Sequence, residues 1–514
     1  MIDGSSIRAL RRGRNRARWA SGIARLHSRD VRIISEYAFW LEAFAPEVPL
    51  TEPQKLEQDA AAAYLEGRDA DSSELWSQAH QEWLTRGDVK RAVRCAFWQV
   101  FGLMQRSEHA RASGWLARAQ RLLESVPHDC VECGYLLFPV GVQAIFSGDA
   151  PAARRILAKA ADIGQRFGDP DLIALARNAE GRALIRCGDV PGGIRLLDEA
   201  MAAIEAGGVS AAVAGDVYCS MIEACHETFD VRRAHEWTAA LSRWCEAQSS
   251  LVAYRGQCLT RRAEMQQMHG AWDEAAQDAE QACERLSHPP PPQRAVGAAL
   301  YQRAELHRLR GEFAEAEPLY REAARWDSKP RPGFAMLRLA QHQIDAALTM
   351  IRALFDEVRD LPTRTRILAA YAEIALAAGD VDVAALAAGE LSEIAREVNA
   401  PQLDAEAAYA EGAVLLAQHN PAAALPLLRR AASVWQQLDA PYCGARAAVL
   451  IALAARALKD EETAAFEFAA ARAVFERLGA KPDVERIDAL TQPDETHGPA
   501  GLTFREMQVL RLIA

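Results

Sequence analysis

A turn signal that recurs about every forty residues constrains this chain more than any other feature. It reads Gly148-Asp149, Gly188-Asp189, Phe229-Asp230, Gly270-Ala271-Trp272, Gly311-Glu312-Phe313, Gly379-Asp380, His419-Asn420 and Lys459-Asp460. Each signal closes one helical pattern and opens another. Glycine suits a helix end that needs the left-handed conformation, and the Asp after it can cap the next helix. Small residues follow at close spacing: Ala275, Ala276 and Ala279; Ala314, Ala316, Ala323 and Ala324; Ala422 to Ala424, Ala431 and Ala432. Small side chains let two antiparallel helices approach closely. The second helix then ends in a loop marked by Gly or Pro, as in Phe167-Gly-Asp-Pro170, Asn399-Ala-Pro401, Asp439-Ala-Pro441 and Gly479-Ala-Lys-Pro482. A single pair cannot bury its apolar face, so pairs must stack, and the predicted fold is an all-α solenoid over residues 51–490. The register slips between Gly311 and Gly379, where the repeat around Gln341 to Ala347 is shorter. With Lys329-Pro-Arg-Pro332 and His288-Pro-Pro-Pro-Pro292 nearby, a bend is expected there.

Composition fits one long helical array better than sheets: of 514 residues half are hydrophobic and only 7% aromatic. No apolar run reaches the length of a membrane span, and the start lacks a signal-peptide hydrophobic region. The ten Cys are scattered, and Cys95, Cys187 and Cys443 fall within apolar helical stretches. No secreted disulfide framework is implied, and a reducing cytoplasm is the expected setting. The net charge of −11 argues against broad nucleic-acid binding by the body of the protein. Residues 1–50 are the exception, with Arg8, Arg11, Arg12, Arg14, Arg16, Arg18, Arg25, Arg29 and Arg32. Without a groove-reading pattern, this segment reads as a poorly ordered tail or upstream read-through rather than a phosphate-binding arm.

Catalytic chemistry has no foothold. His-Glu-x-x-His, Gly-x-Ser-x-Gly, Gly-x-Gly-x-x-Gly and the phosphate-cradling Gly-x-x-x-x-Gly-Lys-Ser/Thr loop are all missing from the sequence. The expectation is therefore no enzyme, no cofactor and no metal. Cys130-Val-Glu-Cys133 has the spacing of a metal or redox pair but has no second pair at zinc-finger distance. Cys219, Cys225, His226, Cys245 and Cys258 lie in neighbouring repeats, either converging in space or filling helical packing. Trp76, Trp83, Trp98 and Trp115 recur on apolar helical faces, which favours core packing over a ligand groove.

The final segment carries a second signal. Thr503 and Glu506 have capping-box spacing, Leu502 and Met507 can form the hydrophobic staple, and Met507, Leu510, Ile513 and Ala514 fall on one face. Before it runs Thr491-Gln-Pro-Asp-Glu-Thr-His-Gly-Pro-Ala-Gly501, whose polar, Pro- and Gly-rich composition suits a linker between domains. Residues 502–514 resemble the first helix of the LuxR-type helix-turn-helix domain, matching at Leu502, Thr503, Arg505, Glu506, Val509, Leu510, Leu512, Ile513 and Ala514. The repeats resemble tetratricopeptide repeats, best in Gly311-Glu-Phe313-Ala-Glu-Ala316-Glu-Pro-Leu-Tyr320. Arg94-Cys-Ala-Phe-Trp98, Gly114-Trp-Leu-Ala-Arg118 and Ala119-Gln-Arg-Leu-Leu123 resemble the first repeats of regulators with such an array before a LuxR-type domain.

These resemblances imply a LuxR-family transcription regulator, whose array senses a peptide, protein or small-molecule effector and whose C-terminal domain binds DNA. They mark Thr503, Arg505 and Glu506 in the DNA-binding part, with Arg505 as a phosphate contact, and imply a homodimer reading paired half-sites. The sequence stops at Ala514, within the first helix of that domain, so this polypeptide is expected not to bind specific DNA by itself. The alternative is a helical-repeat scaffold for protein–protein interaction that does not bind DNA.

Overall fold

The computed structural model describes residues 50–491 apart from 107, 126–128, 248–254, 287–292, 327–330 and 359. Contacts divide the chain into Met1–Lys55 and Leu56–Ala514, and the array belongs to the second unit. Every regular element among the described residues is an α-helix. The series opens with α1 (Glu52–Leu65) and α2 (Asp69–Thr85). Pairs follow: α3 (Val89–Gln105) with α4 (His109–Leu123), α5 (Glu132–Phe146) with α6 (Ala150–Phe167), α7 (Pro170–Arg186) with α8 (Val190–Glu205), and α9 (Ala211–Glu227) with α10 (Val231–Ala247). Next come α11 (Arg255–Met268) with α12 (Trp272–Leu286), α13 (Gln293–Arg310) with α14 (Phe313–Trp326), and α15 (Gly333–Ala340) with α16 (Ile344–Glu357). The series closes with α17 (Leu361–Ala377) and α18 (Val381–Val398), α19 (Pro401–Ala417) and α20 (Pro421–Gln437), α21 (Pro441–Ala457) and α22 (Glu461–Leu478), and α23 (Lys481–Thr491). The first helices of successive pairs also pack on one another, for example α7 on α9 and α17 on α19.

The turns behave as their chemistry dictates. Gly148, Gly188, Gly270, Gly311 and Gly379 have φ between 78° and 91°, and Phe229, His419 and Lys459 occupy the same left-handed region at 58°, 58° and 65°. Behind the turn residue, the next amide donates five residues back: Asp149 to the Ala144 carbonyl at 3.0 Å, Asp380 to Ala375 at 2.9 Å, Asp460 to Ala455 at 2.9 Å. The same aspartates then accept from the new helix, Asp149 from the Ala152 amide, Asp380 from Val383 and Asp460 from Thr463. One dipeptide thus closes a helix and caps the next. The pattern also occurs before Gly148, at Gly87-Asp88, where Asp88 accepts from the Arg91 amide. Between Gly311 and Gly379 the structure shows the short pair, with an eight-residue α15 and His342 at φ 60° as its turn residue. The proline tract His288–Pro292 lies outside the described residues.

Alanine at the turn-proximal positions buries as antiparallel packing requires, but only on one side of each helix. Ala275, Ala279, Ala316, Ala424 and Ala431 are fully enclosed, whereas Ala314, Ala324, Ala422 and Ala423 are exposed. Cys187 is a correction: it caps the C-terminus of α7 and is exposed rather than lying within an apolar stretch. Cys95 is buried as expected.

A second layer of the array packs on the first. A Cβ at Gly270 would lie 2.8 Å from Pro441 Cγ and 2.9 Å from Leu478 Cδ2, and one at Gly311 would lie 3.0 Å from Pro482 Cγ. In both cases 171 residues separate the turn from the proline that starts the facing helix. Phe229, 4% exposed, sits in a core with Ala400 and Leu403, next to Pro401, at almost the same separation. The Trp272 and Tyr442 rings meet at 5.4 Å in a tilted contact, and Ala263, Leu306, Ala445, Phe475 and Ile487 share one apolar cluster. The turns of α9–α14 therefore dock on the starts of α19, α21 and α23. No helix among the described residues is long and apolar enough to cross a membrane.

Candidate functional site: the inner channel

The first helices of the pairs, together with α4 and the starts of other second helices, line one continuous cavity of about 3930 Å³, walled by residues from Tyr64 to Ala489. A pocket for one small ligand is on the order of 300–1,000 Å³, so this space accommodates something longer. Its wall changes character along the array. The α3 and α5 section is mainly apolar, with Val100, Phe101, Met104, Phe138, Pro139 and Val142 beside Gln105 and Gln143. Phe146 at the end of α5 is 65% exposed.

From α7 onward the wall becomes a ladder of charge. Arg182 on α7 reaches across to α9, donating to the Ser220 carbonyl at 3.1 Å and pairing with Glu223 at 3.3 Å and Glu227 at 2.7 Å. Arg261 on α11 pairs with Glu264 at 2.9 Å and lies 3.9 Å from Glu223. His226 faces Glu264 at 3.7 Å. Further along, Arg308 pairs with Glu305 at 2.6 Å, and Arg446 on α21 crosses to Glu373 on α17 at 2.7 Å. Tyr442 donates to Asp483 at 3.0 Å.

Burial and pairing set the protonation of this wall. Burial would raise the Glu264 carboxyl, but Arg261 and His226 outweigh it and hold the group at about 2. Burial pushes His226 down to about 4, against the pull of Glu264. Asp216 behaves differently: burial pushes it up to about 6, and it accepts a hydrogen bond from the neutral Gln105 amide at 2.6 Å. Burial also raises the Cys219 thiol. These are the expected responses of charge held in a poorly hydrated cleft.

The sequence-derived sites distribute unevenly over this structure. Thr503, Arg505 and Glu506 lie outside the described residues, as do residues 1–49 and 492–501. Cys130 and Cys133 do come together, their sulfurs 3.8 Å apart at the start of α5. In the second cysteine group, Cys258 hydrogen-bonds with Cys245 and lies near Cys219. Cys225 is enclosed near Asp230 and Arg233, in the same apolar cluster as Cys245 and Cys258. No group of three His, Cys, Asp or Glu that could hold a metal occurs among the described residues. Trp76 and Trp83 are core residues, Trp98 and Trp115 pack at its edge, and none of the four lines the channel. Asn178, Arg182 and Asp216 were missed by sequence reasoning. No local signal singles them out, since Pro170–Arg186 also carries Asp171, Arg177, Glu180 and Arg186.

Neither a family model nor a curated protein matches this chain. Among solved structures it is similar to a Rap protein complexed with competence and sporulation factor, at 13% identity and TM-score 0.42, covering 76% of this chain and 99% of that one. It is also similar to the Cut9-Hcn1 hetero-tetramer of APC/C, at 13% identity and TM-score 0.40, covering 89% of this chain and 98% of that one. A third is a tetratricopeptide repeat protein from Parabacteroides merdae, at 16% identity and TM-score 0.31, covering 52% of this chain and 96% of that one.

Proposed function

We propose that the inner channel binds an extended polypeptide segment, and that this binding is the sensing step of a LuxR-type transcription regulator. The channel carries the first half of the proposal. Its volume exceeds a small-ligand pocket several-fold, and it joins an apolar section around Phe146 to a charged ladder, the two kinds of contact that alternating side chains of an extended chain supply. Carboxylates such as Asp216, Glu223 and Glu264 within the wall, and the net charge of −11, make a nucleic-acid strand a poor occupant. The second half is supported by the resemblance of residues 502–514 to the opening of a LuxR-type domain.

The test is photo-crosslinking of purified protein with pools of random decapeptides carrying one diazirine-leucine. Crosslinks concentrated on α3, α5, α7 and α9 support the channel reading. Crosslinks confined to residues of α4, α6, α8 and α10 that do not line the channel would sink it.

A further inference from the structure

Some carboxylates of the channel wall stand without a cationic partner, and one of them lies beside an unpaired carboxamide. Arg182 of α7 bonds Ser220 of α9 through both its carbonyl, at 3.1 Å, and its hydroxyl, at 3.2 Å, which fixes the register of these two neighbouring helices. One helical turn earlier on each stand Asn178 and Asp216, level with each other on adjacent helices. Both line the channel. Asn178 is 3% exposed, its carboxamide oxygen is buried without a hydrogen-bond partner, and no bond to its side chain occurs among the described residues. Asp216 is half-buried and, like Glu406 further along the wall, has no cation within 4 Å among the described residues, whereas Glu223, Glu227, Glu264, Glu305 and Glu373 each have one.

We propose that Asn178 and Asp216 form a subsite for a cationic group of the bound polypeptide, an ammonium or guanidinium that donates to the Asp216 carboxylate and the Asn178 carboxamide. The inference rests on the channel reading above. A buried carboxamide without a partner costs free energy, and so does a desolvated carboxylate without a countercharge. One ligand cation offsets both. The carboxamide can present its oxygen to the channel by half a turn about its last torsion, at little steric cost. Gln105 from α3 then acts as a neutral placeholder on Asp216 that a charged donor displaces. The carboxyl, raised to about 6 by burial, is drawn back to its charged form by such a donor.

Two sources supply this chemistry, a free chain-terminal amine and a Lys or Arg side chain, and three C-terminally labelled decapeptide pools separate them. The first is N-acetylated and free of Lys and Arg. The second has the same composition with a free amine. The third is N-acetylated with one fixed Arg. Binding is followed by fluorescence anisotropy with wild type, Asp216→Asn and Gln105→Lys, each first checked for native helix content and melting. One cationic pool is expected to bind about tenfold tighter than the neutral pool, the scale of a hydrogen bond to a charged group. Preference for the second pool names the terminal amine, and for the third the side chain. Asp216→Asn removes the preference. Gln105→Lys, which tethers an ammonium beside Asp216, removes it too. Equal binding of all pools by wild type, or a preference that survives both variants, overturns the subsite and leaves the channel reading standing. Failure of every pool to bind overturns both.

Discussion

Turns built to one backbone plan face two different environments in this molecule. At Gly148, Gly188 and Gly379 a Cβ would meet nothing within 4 Å, and His419 and Lys459 are exposed. At Phe229, Gly270 and Gly311 the same left-handed turn is pressed against the helix starts of the second layer. A free turn carries only its local conformational cost. A docked turn adds side-chain packing to that cost, so the same substitution should read out differently in the two places. The layer seam thus governs the stability of the channel wall it closes.

The largest effect is expected at Gly270. Gly270→Ala imposes a left-handed alanine at φ 81° and drives its Cβ into the rigid Pro441 ring and into Leu478, itself 5% exposed and unable to swing away. Backbone cost and overpacking together predict a loss of about 3–4 kcal/mol, read by urea unfolding. A loss below 1 kcal/mol would mean that the two layers separate readily and that the seam does not hold the array.

Phe229→Ala tests the seam from the opposite direction, by removing contact rather than adding it. Phe229 is 4% exposed and lies with Ile367, Leu368 and Leu403 in a cluster formed by the later pairs. Truncating it opens a cavity and should cost about 3 kcal/mol. Its left-handed φ of 58° barely changes the estimate, because alanine tolerates that region no better than phenylalanine. Hydrogen exchange should localise the loosening to α17 and α19 as well as to α9. Loosening confined to α9 and α10 would remove Phe229 from the seam.

The sequence was legible where the physics is local and illegible where it is not. Gly379-Asp380 reads as a turn because a left-handed residue and a capping carboxylate act within a few residues of each other. Gly270 reads identically, and nothing within ten residues of it announces Pro441, although that proline is itself marked as a helix start. The Gly270 to Pro441 contact depends on how far each stacked pair rotates, a sum of small packing angles over several pairs. The pairing of Asn178 with Asp216 suffers the same limit. Asn178 is one of several polar residues in α7, and Asp216 becomes its neighbour only once the register of α7 and α9 is set by Arg182 and Ser220. The four tryptophans were legible in the other direction, since their apolar faces pointed to the core where Trp76 and Trp83 are found.

At a free turn the packing contribution drops out. Gly379→Ala, at φ 78° with open space around the new Cβ, should cost about 1 kcal/mol, the left-handed penalty alone. The difference between Gly270→Ala and Gly379→Ala then isolates the seam contact, because the two glycines differ in φ by only a few degrees. Equal losses would attribute the whole effect to backbone strain.

The smallest effect has the opposite sign. Lys459 holds φ 65° at an exposed turn between α21 and α22, where an L side chain gains nothing from packing. Its amide donates to Arg456 and the following Asp460 caps α22, so the geometry is fixed by neighbours and does not need the lysine side chain. Lys459→Gly removes the left-handed strain but gives the unfolded chain more freedom, and the first contribution is the larger at a helix C-terminus. A gain of about 0.5 kcal/mol is expected in urea unfolding. The same change at Phe229, Phe229→Gly, relieves equal strain yet should destabilise, because there the side chain fills the seam. Opposite signs at two positions whose φ differs by 7° would show that tertiary contact, not turn chemistry, decides which of these residues the fold can exchange.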